Sequence, residues 1–159
     1  MNSIKKGKRA ELNFAHLLSA ATNAKFVRVP CSGAFATAGQ STDRRFRGDI
    51  FSDDPRFLDI VVESKCRKAP ITLNELGNPK SEFSSWIKQT RDEAGESFWI
   101  LMFQWNRSPI YLACPAGDGI KYPHSIYSYF MTSFEAVADI VHDGAKISIY
   151  RYRSAANGA

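Results

Sequence analysis

At 159 residues, 44% hydrophobic and 23% charged, the chain has the length and composition of one folded domain with a real core, which excludes a disordered chain and two full domains. No apolar run approaches the length needed to cross a bilayer, and the basic start is not followed by a signal-peptide core, so no membrane contact and a cytoplasmic location in a prokaryotic host are expected. The net charge of +5 suits a polyanionic partner.

Residues Ser3 to Ala20 read as a helix, capped by Ser3, with Ala10, Phe14, Leu17, Leu18 and Ala21 recurring at spacings of three and four. Lys25 to Pro30 is a short strand-prone run leading into Cys31-Ser32-Gly33. Gly33 to Phe46 is small and polar without a hydrophobic period, so a long loop is expected, ending in Arg44, Arg45 and Arg47. Asp49 begins a strand, Ser52 to Arg56 makes a turn around Pro55, and Phe57 starts a second strand that carries Glu63 and Lys65. After Arg67 and Lys68 comes a polar loop with Gly77 and Pro79, and then Ser81 to Ala94 returns to helical spacing, stopped by Gly95.

Ser97 to Gln104 is the most apolar run and reads as a buried central strand; Asn106 to Pro109 turns into another strand, Ile110 to Cys114. Trp99, Phe103, Trp105 and Tyr111 are expected to pack in the core or on the sheet. Asp118 to Met131 is aromatic-rich without a clear period. Ser133 to Val141 reads as a short helix, capped by Thr132 or Ser133, with Phe134, Val137, Ala138 and Val141 inward. Lys146 to Tyr152 alternates as a last strand. One domain over residues 1–153 is expected, with a frayed tail over 154–159.

The chemistry concentrates between Gly48 and Lys65. Alternation along the strand puts Val61, Glu63 and Lys65 on one face and Ile60, Val62 and Ser64 on the other. Asp49 and Glu63 form a carboxylate pair suited to a hard cation such as Mg2+, with Mn2+ able to substitute. Lys65 beside such an ion can orient or deprotonate a water and offset charge on an attacked phosphate. Lys5, Lys6, Lys8 and Arg9 precede the first acidic residue, and Arg44, Arg45 and Arg47 crowd before Asp49, so both clusters are candidates for phosphate contacts, as are Arg67, Lys68 and Lys88. The alternative for each of the two clusters is a solvated face or a disordered flank.

Other chemistries find no support. Cys31, Cys66 and Cys114 are odd in number and widely spaced, which argues for reduced thiols rather than a disulfide framework or a zinc site. His16, His124 and His142 lack ligand spacing and a triad pattern, and there is neither a phosphate loop nor a dinucleotide-binding fingerprint.

Asp49 followed by Glu63-Ser64-Lys65 resembles the PD-(D/E)xK nuclease superfamily, with Gly48 standing where that pattern often has proline. Lys6-Gly-Lys-Arg-Ala-Glu11 is similar to the opening of archaeal-type Holliday junction resolvases, and Arg28, Ser32 and Gly33 match the strand and Ser-Gly segment that follow it there. Trp86-Ile-Lys-Gln89 resembles the helix after the E-x-K strand in phage-type resolvases. The resemblance covers roughly Lys6 to Pro115; the long Gly33–Phe46 loop and the final third depart from it.

It implies a restriction-endonuclease-like α/β fold, with a mixed sheet flanked by helices. It also implies that Glu11 joins Asp49 and Glu63 at the metal, that Ser32 and Gln89 join Lys65 in the catalytic set, and that Arg28 meets DNA. The activity implied is Mg2+-dependent cleavage of branched DNA, four-way junctions above all, leaving 5′-phosphates, by a phage-type protein. A two-fold homodimer would supply paired cuts, through Tyr122 to Phe130 or through Ile110 to Cys114. The alternatives are a repair or restriction-type nuclease acting on linear duplex, and a DNA-binding module without catalysis.

Overall fold

The computed structural model describes residues 3–30, 47–116 and 132–153. Helix α1 spans Ser3–Thr22 and is followed by strands β1 (Phe26–Arg28), β2 (Ile50–Ser52) and β3 (Ile60–Arg67). A short helix α2 (Leu73–Gly77) and a longer helix α3 (Glu82–Ala94) come next, and then β4 (Phe98–Trp105), β5 (Tyr111–Pro115), β6 (Phe134–His142) and β7 (Ala145–Tyr152). The strands form one seven-stranded sheet in the order β1-β2-β3-β4-β5-β7-β6. Among the described strands, β3 and β4 pair in parallel and the other pairs are antiparallel. The parallel pair requires a crossover, and α2 and α3 supply it. This is the mixed α/β, restriction-endonuclease-like fold, with the sheet flanked by helices.

Alternation along the strands divides the core into two layers. Ala10, Phe14, Ala15 and Leu18 of α1 pack with Phe26, Ile50, Val62, Ile100, Met102, Leu112 and Cys114. Phe83, Trp86, Ile87 and Ala94 of α3 pack with Val61, Trp99, Leu101, Phe103, Ala113, Ile147 and Ile149 on the opposite face. In β3, therefore, Val62 points under α1 while Val61, and by period Glu63 and Lys65, point toward α3. Ser81 caps α3 by accepting from the Ser84 N–H, and Gly95 ends it at φ 59°, where its N–H reaches the Arg91 carbonyl.

β4 lies at the centre of the sheet, as its continuous apolar run requires. Two expectations fail. Ser133 to Val141 is not a helix: Phe134–His142 is a strand paired with β7 through an Asp143-Gly144 turn with φ of 49° and 75°. The Asp-Gly pair between two β-prone runs outweighs a helical spacing whose supposed inward residues Val137 and Val141 are 44% and 72% exposed. The polar stretch after Lys68 contains α2, with Thr72 and Glu75 forming a reciprocal capping box. β5 is bonded on both edges, to β4 and β7, and buries Leu112, Ala113 and Cys114, while Ile110 and Tyr111 are partly exposed. The Gly33–Phe46 loop, Tyr122 to Phe130, the rest of the Asp118–Met131 segment, and Ser154 to Ala159 lie outside the described residues.

Candidate active site

The site forms where β2 and β3 meet. Gly48 adopts φ +78°, and a Cβ there would lie 2.6 Å from the Val62 carbonyl oxygen. Only glycine lets the chain approach this closely in this conformation. Proline, with φ fixed near −65°, could not take the position, which accounts for this departure from the usual pattern. The close approach lets the Asp49 N–H donate to the Val62 carbonyl at 2.9 Å, while the Asp49 carbonyl accepts from the Val29 N–H at 2.8 Å. The Asp49 carboxylate accepts from the Ser64 N–H at 2.9 Å. The bonds to Val29 and Val62 thus fix the Asp49 backbone, and the Ser64 N–H fixes its carboxylate.

Ile50 stands opposite Val62 in the sheet, so Asp49 lies beside Glu63. Glu63 is 3% exposed. Burial, the neighbouring Asp49 charge, a hydrogen bond with the Glu93 carboxyl and the charge of Glu93 push its carboxyl up to about 9, against the opposing pull of Lys65. The Lys65 ammonium stands 3.5 Å from Glu63 Oε2 and donates to Gln89 Oε1 at 2.8 Å. Gln89 in turn donates from Nε2 to Glu93 Oε1 at 2.9 Å. Asp49, Glu63, Lys65 and Gln89 therefore come together.

Glu93 is the residue that sequence reasoning missed. Its signal was its place four residues after Gln89 in a helix, which puts the two side chains on one face.

Glu11 does not join this group. It forms an ion pair with Arg28, whose register partner Ile50 belongs to the layer under α1, so the pair sits on the other face of the sheet. Among the described residues, no three His, Cys, Asp or Glu side chains are gathered closely enough to hold a metal ion by themselves. Ser32, Arg44 and Arg45 lie outside the described residues.

The cations divide into two sets. Lys5, Lys8 and Arg9 are exposed on the first turns of α1, and Lys68 and Lys88 are exposed near the site, Lys88 paired with Asp92 at 2.5 Å. Four others are engaged internally. Lys6 ties α1 to the Arg67 carbonyl, at 3.5 Å, and to Asn106. Arg28 holds Glu11. Arg47 donates to the Ala94 carbonyl at the end of α3 and to Ser97 Oγ, at 3.0 and 3.1 Å.

Arg67 bonds Glu75 and Glu82 and donates to the Ala69 and Pro70 carbonyls, and its guanidinium lies 5.9 Å over the Trp86 ring. That pairing holds the Glu75 carboxyl down at about 2. Arg67 organises the crossover between β3 and α3 rather than presenting a charge to solvent.

Ser84, His142 and Asp143 meet in a Ser–His–Asp order, with Ser84 Oγ 2.5 Å from His142 Nε2 and Asp143 Oδ2 3.4 Å from Nδ1. Ser84 is only 4% exposed, so this contact ties α3 to the β6–β7 hairpin and offers no nucleophile to a substrate.

No curated protein and no solved structure matches the chain. Residues 2–152 match the family described as "Phage putative PDDEXK endonuclease", which spans both strands of the Asp49–Lys65 site and helix α3. The chain belongs to this phage PD-(D/E)xK endonuclease family.

Proposed function

We propose that the protein is a divalent-cation-dependent endodeoxyribonuclease that cuts branched DNA, with four-way junctions as its preferred substrate. The observation that carries the nuclease reading is the placement of Asp49 and Glu63 side by side on adjacent strands, with Lys65 3.5 Å from Glu63. The donor set fits Mg2+. A buried carboxylate pushed up to about 9 by burial and by Asp49 and Glu93 marks a place where positive charge is wanted. Mg2+ takes one or two carboxylates and keeps its remaining waters, so a pair of acids suffices.

Asp49 and Glu63 would hold the ion, which supplies a Lewis acid and a more acidic water at the phosphodiester. The Ser64 N–H keeps the Asp49 carboxylate turned toward the site, and the Lys65 ammonium offsets charge on the phosphate and orients the attacking water. Mn2+ would substitute for Mg2+. Lys5, Lys8, Arg9, Lys68 and Lys88, all exposed, are the phosphate contacts of this reading, and a two-fold homodimer would deliver the paired cuts that a junction requires.

The junction preference rests on the likeness of Lys6 to Glu11 to resolvase openings. The pairing of Glu11 with Arg28, away from Glu63, favours the second reading, a nuclease of the same family acting on linear duplex. Matched four-way junction, fork and linear DNA, incubated with Mg2+ and with EDTA, separate the two. Paired nicks across the junction support the first, and equal cutting of linear DNA supports the second. No cutting of any substrate in Mg2+ or Mn2+ would overturn both.

A further inference from the structure

Four side chains close a ring around the site. Lys65 Nζ donates to Gln89 Oε1 at 2.8 Å, and Gln89 Nε2 donates to Glu93 Oε1 at 2.9 Å. Glu93 is hydrogen-bonded to Glu63, and Glu63 Oε2 lies 3.5 Å from Lys65 Nζ. We propose that Glu93 is a positioning residue for the reaction: it holds the Gln89 carboxamide with its oxygen toward Lys65, and so fixes the ammonium beside Glu63. The inference rests on the nuclease reading above.

A carboxamide is nearly symmetric in shape but not in chemistry. Turned one way it offers an acceptor to an ammonium, and turned the other way it offers two more donors, which repel it. Lys65 alone cannot enforce the choice on Gln89, which is exposed to solvent. Glu93 can, because it has no N–H to donate when ionised and accepts from Nε2. The spacing of four residues on one helix face keeps the two side chains within reach.

Without Glu93 the amide is free to turn, and Lys65, a charge on a flexible four-carbon stem, loses its short contact and keeps only the longer one to Glu63. Geometry of this kind is lost without loss of the fold, since Glu93 is only partly buried.

The test is a mutant cycle read by cleavage kinetics and by the side-chain amide signals of Gln89 in 15N-labelled protein. Glu93→Ala is expected to lower kcat about tenfold with KM for DNA unchanged, because misplacing a reacting group costs rate rather than binding. Glu93→Gln keeps an acceptor oxygen but adds an N–H that can meet Gln89 turned either way, so its kcat should fall between those of the parent and Glu93→Ala, about threefold below the parent. Adding Glu93→Ala to Gln89→Ala should cost nothing further, since Glu93 acts through Gln89.

The Gln89 amide signals should move in Glu93→Ala and return part of the way in Glu93→Gln. Additive losses in the double variant would overturn the inference. So would Glu93→Gln as damaging as Glu93→Ala, which would mean the charge itself is required. Amide signals unmoved by Glu93→Ala would overturn it whatever the protein cuts. A parent protein that cuts nothing while the amide signals shift as expected would instead overturn the nuclease reading, and the catalytic part of the inference with it.

Discussion

Gly48 and Val62 meet backbone to backbone: a Cβ on Gly48 would stand 2.6 Å from the Val62 carbonyl oxygen, and the φ of +78° excludes an ordinary L-residue besides. Gly48→Ala should therefore destabilise the protein by about 2–4 kcal/mol, combining a clash with left-handed backbone strain. Asp49 follows directly, so cleavage should fall even at temperatures where the variant stays folded. Thermal melts set beside cleavage rates measured well below the melting point give the answer; a variant with the parent's Tm would show that the close approach is not needed.

Asp49→Asn, Glu63→Gln and Lys65→Ala should each abolish cleavage while junction binding stays within a few fold. Binding draws on cation–phosphate contacts spread over the surface, whereas the reaction needs all three groups at one place. Gel-shift affinities measured in Ca2+ beside single-turnover cleavage in Mg2+ make the comparison. Robust cutting by any of the three would move the site elsewhere.

The legible part of the site was the part written in strand alternation. Glu63 and Lys65 had to share a face, and Asp49 at the head of a neighbouring apolar run had to come near them; the register of Ile50 with Val62 brings this about. Gln89 is reached only by resemblance, and Glu93 is marked only by its place four residues after Gln89, because a Glu on a helix is ordinarily solvated. Glu11 shows the reverse limit. A helix period gives the face of α1 but not which sheet residue lies beneath it, and Arg28 lies there with the opposite charge. In the fold, Phe134, Val137, Ala138 and Val141 fit a helical period by spacing alone, yet the segment is the strand β6. A two-residue Asp-Gly turn with both φ values positive decided otherwise.

The arginines and lysines near the site should separate in experiment. Neutralising Lys5, Lys8 and Arg9 together should weaken binding to DNA of every shape and flatten the salt dependence, since each phosphate contact adds to the slope. Arg67→Met should leave that slope nearly unchanged and instead lower the Tm, because Glu75 and Glu82 lose the partner they converge on. Salt titrations of affinity, run beside thermal melts, distinguish the two. A reduced slope in Arg67→Met would return that residue to the DNA surface.

Glu63 links pH, cation and stability. Its folded-state carboxyl titrates at about 9 against an ordinary value of 4.5, raised first by burial and then by Asp49 and Glu93. Below about 4.5 the group is protonated whether the chain is folded or unfolded, and it adds no pH dependence. Between 4.5 and about 9 only the unfolded chain releases the proton, so stability from this group is progressively lost as pH rises through that window.

Glu63→Gln removes the liability. In cation-free buffer at pH 8 the variant should be more stable than the parent by roughly 1–3 kcal/mol, and its Tm should fall less between pH 6 and pH 8. Mg2+ competes with that proton in the parent, so it should raise the parent's Tm most at the alkaline end and leave the variant's nearly unmoved. For the same reason cleavage at a fixed, subsaturating Mg2+ concentration should rise with pH, and added Mg2+ should shift the rise to lower pH. Melts over pH 5–9 with EDTA and with Mg2+ test both halves. Equal Mg2+ responses in parent and variant would remove Glu63 from the cation site.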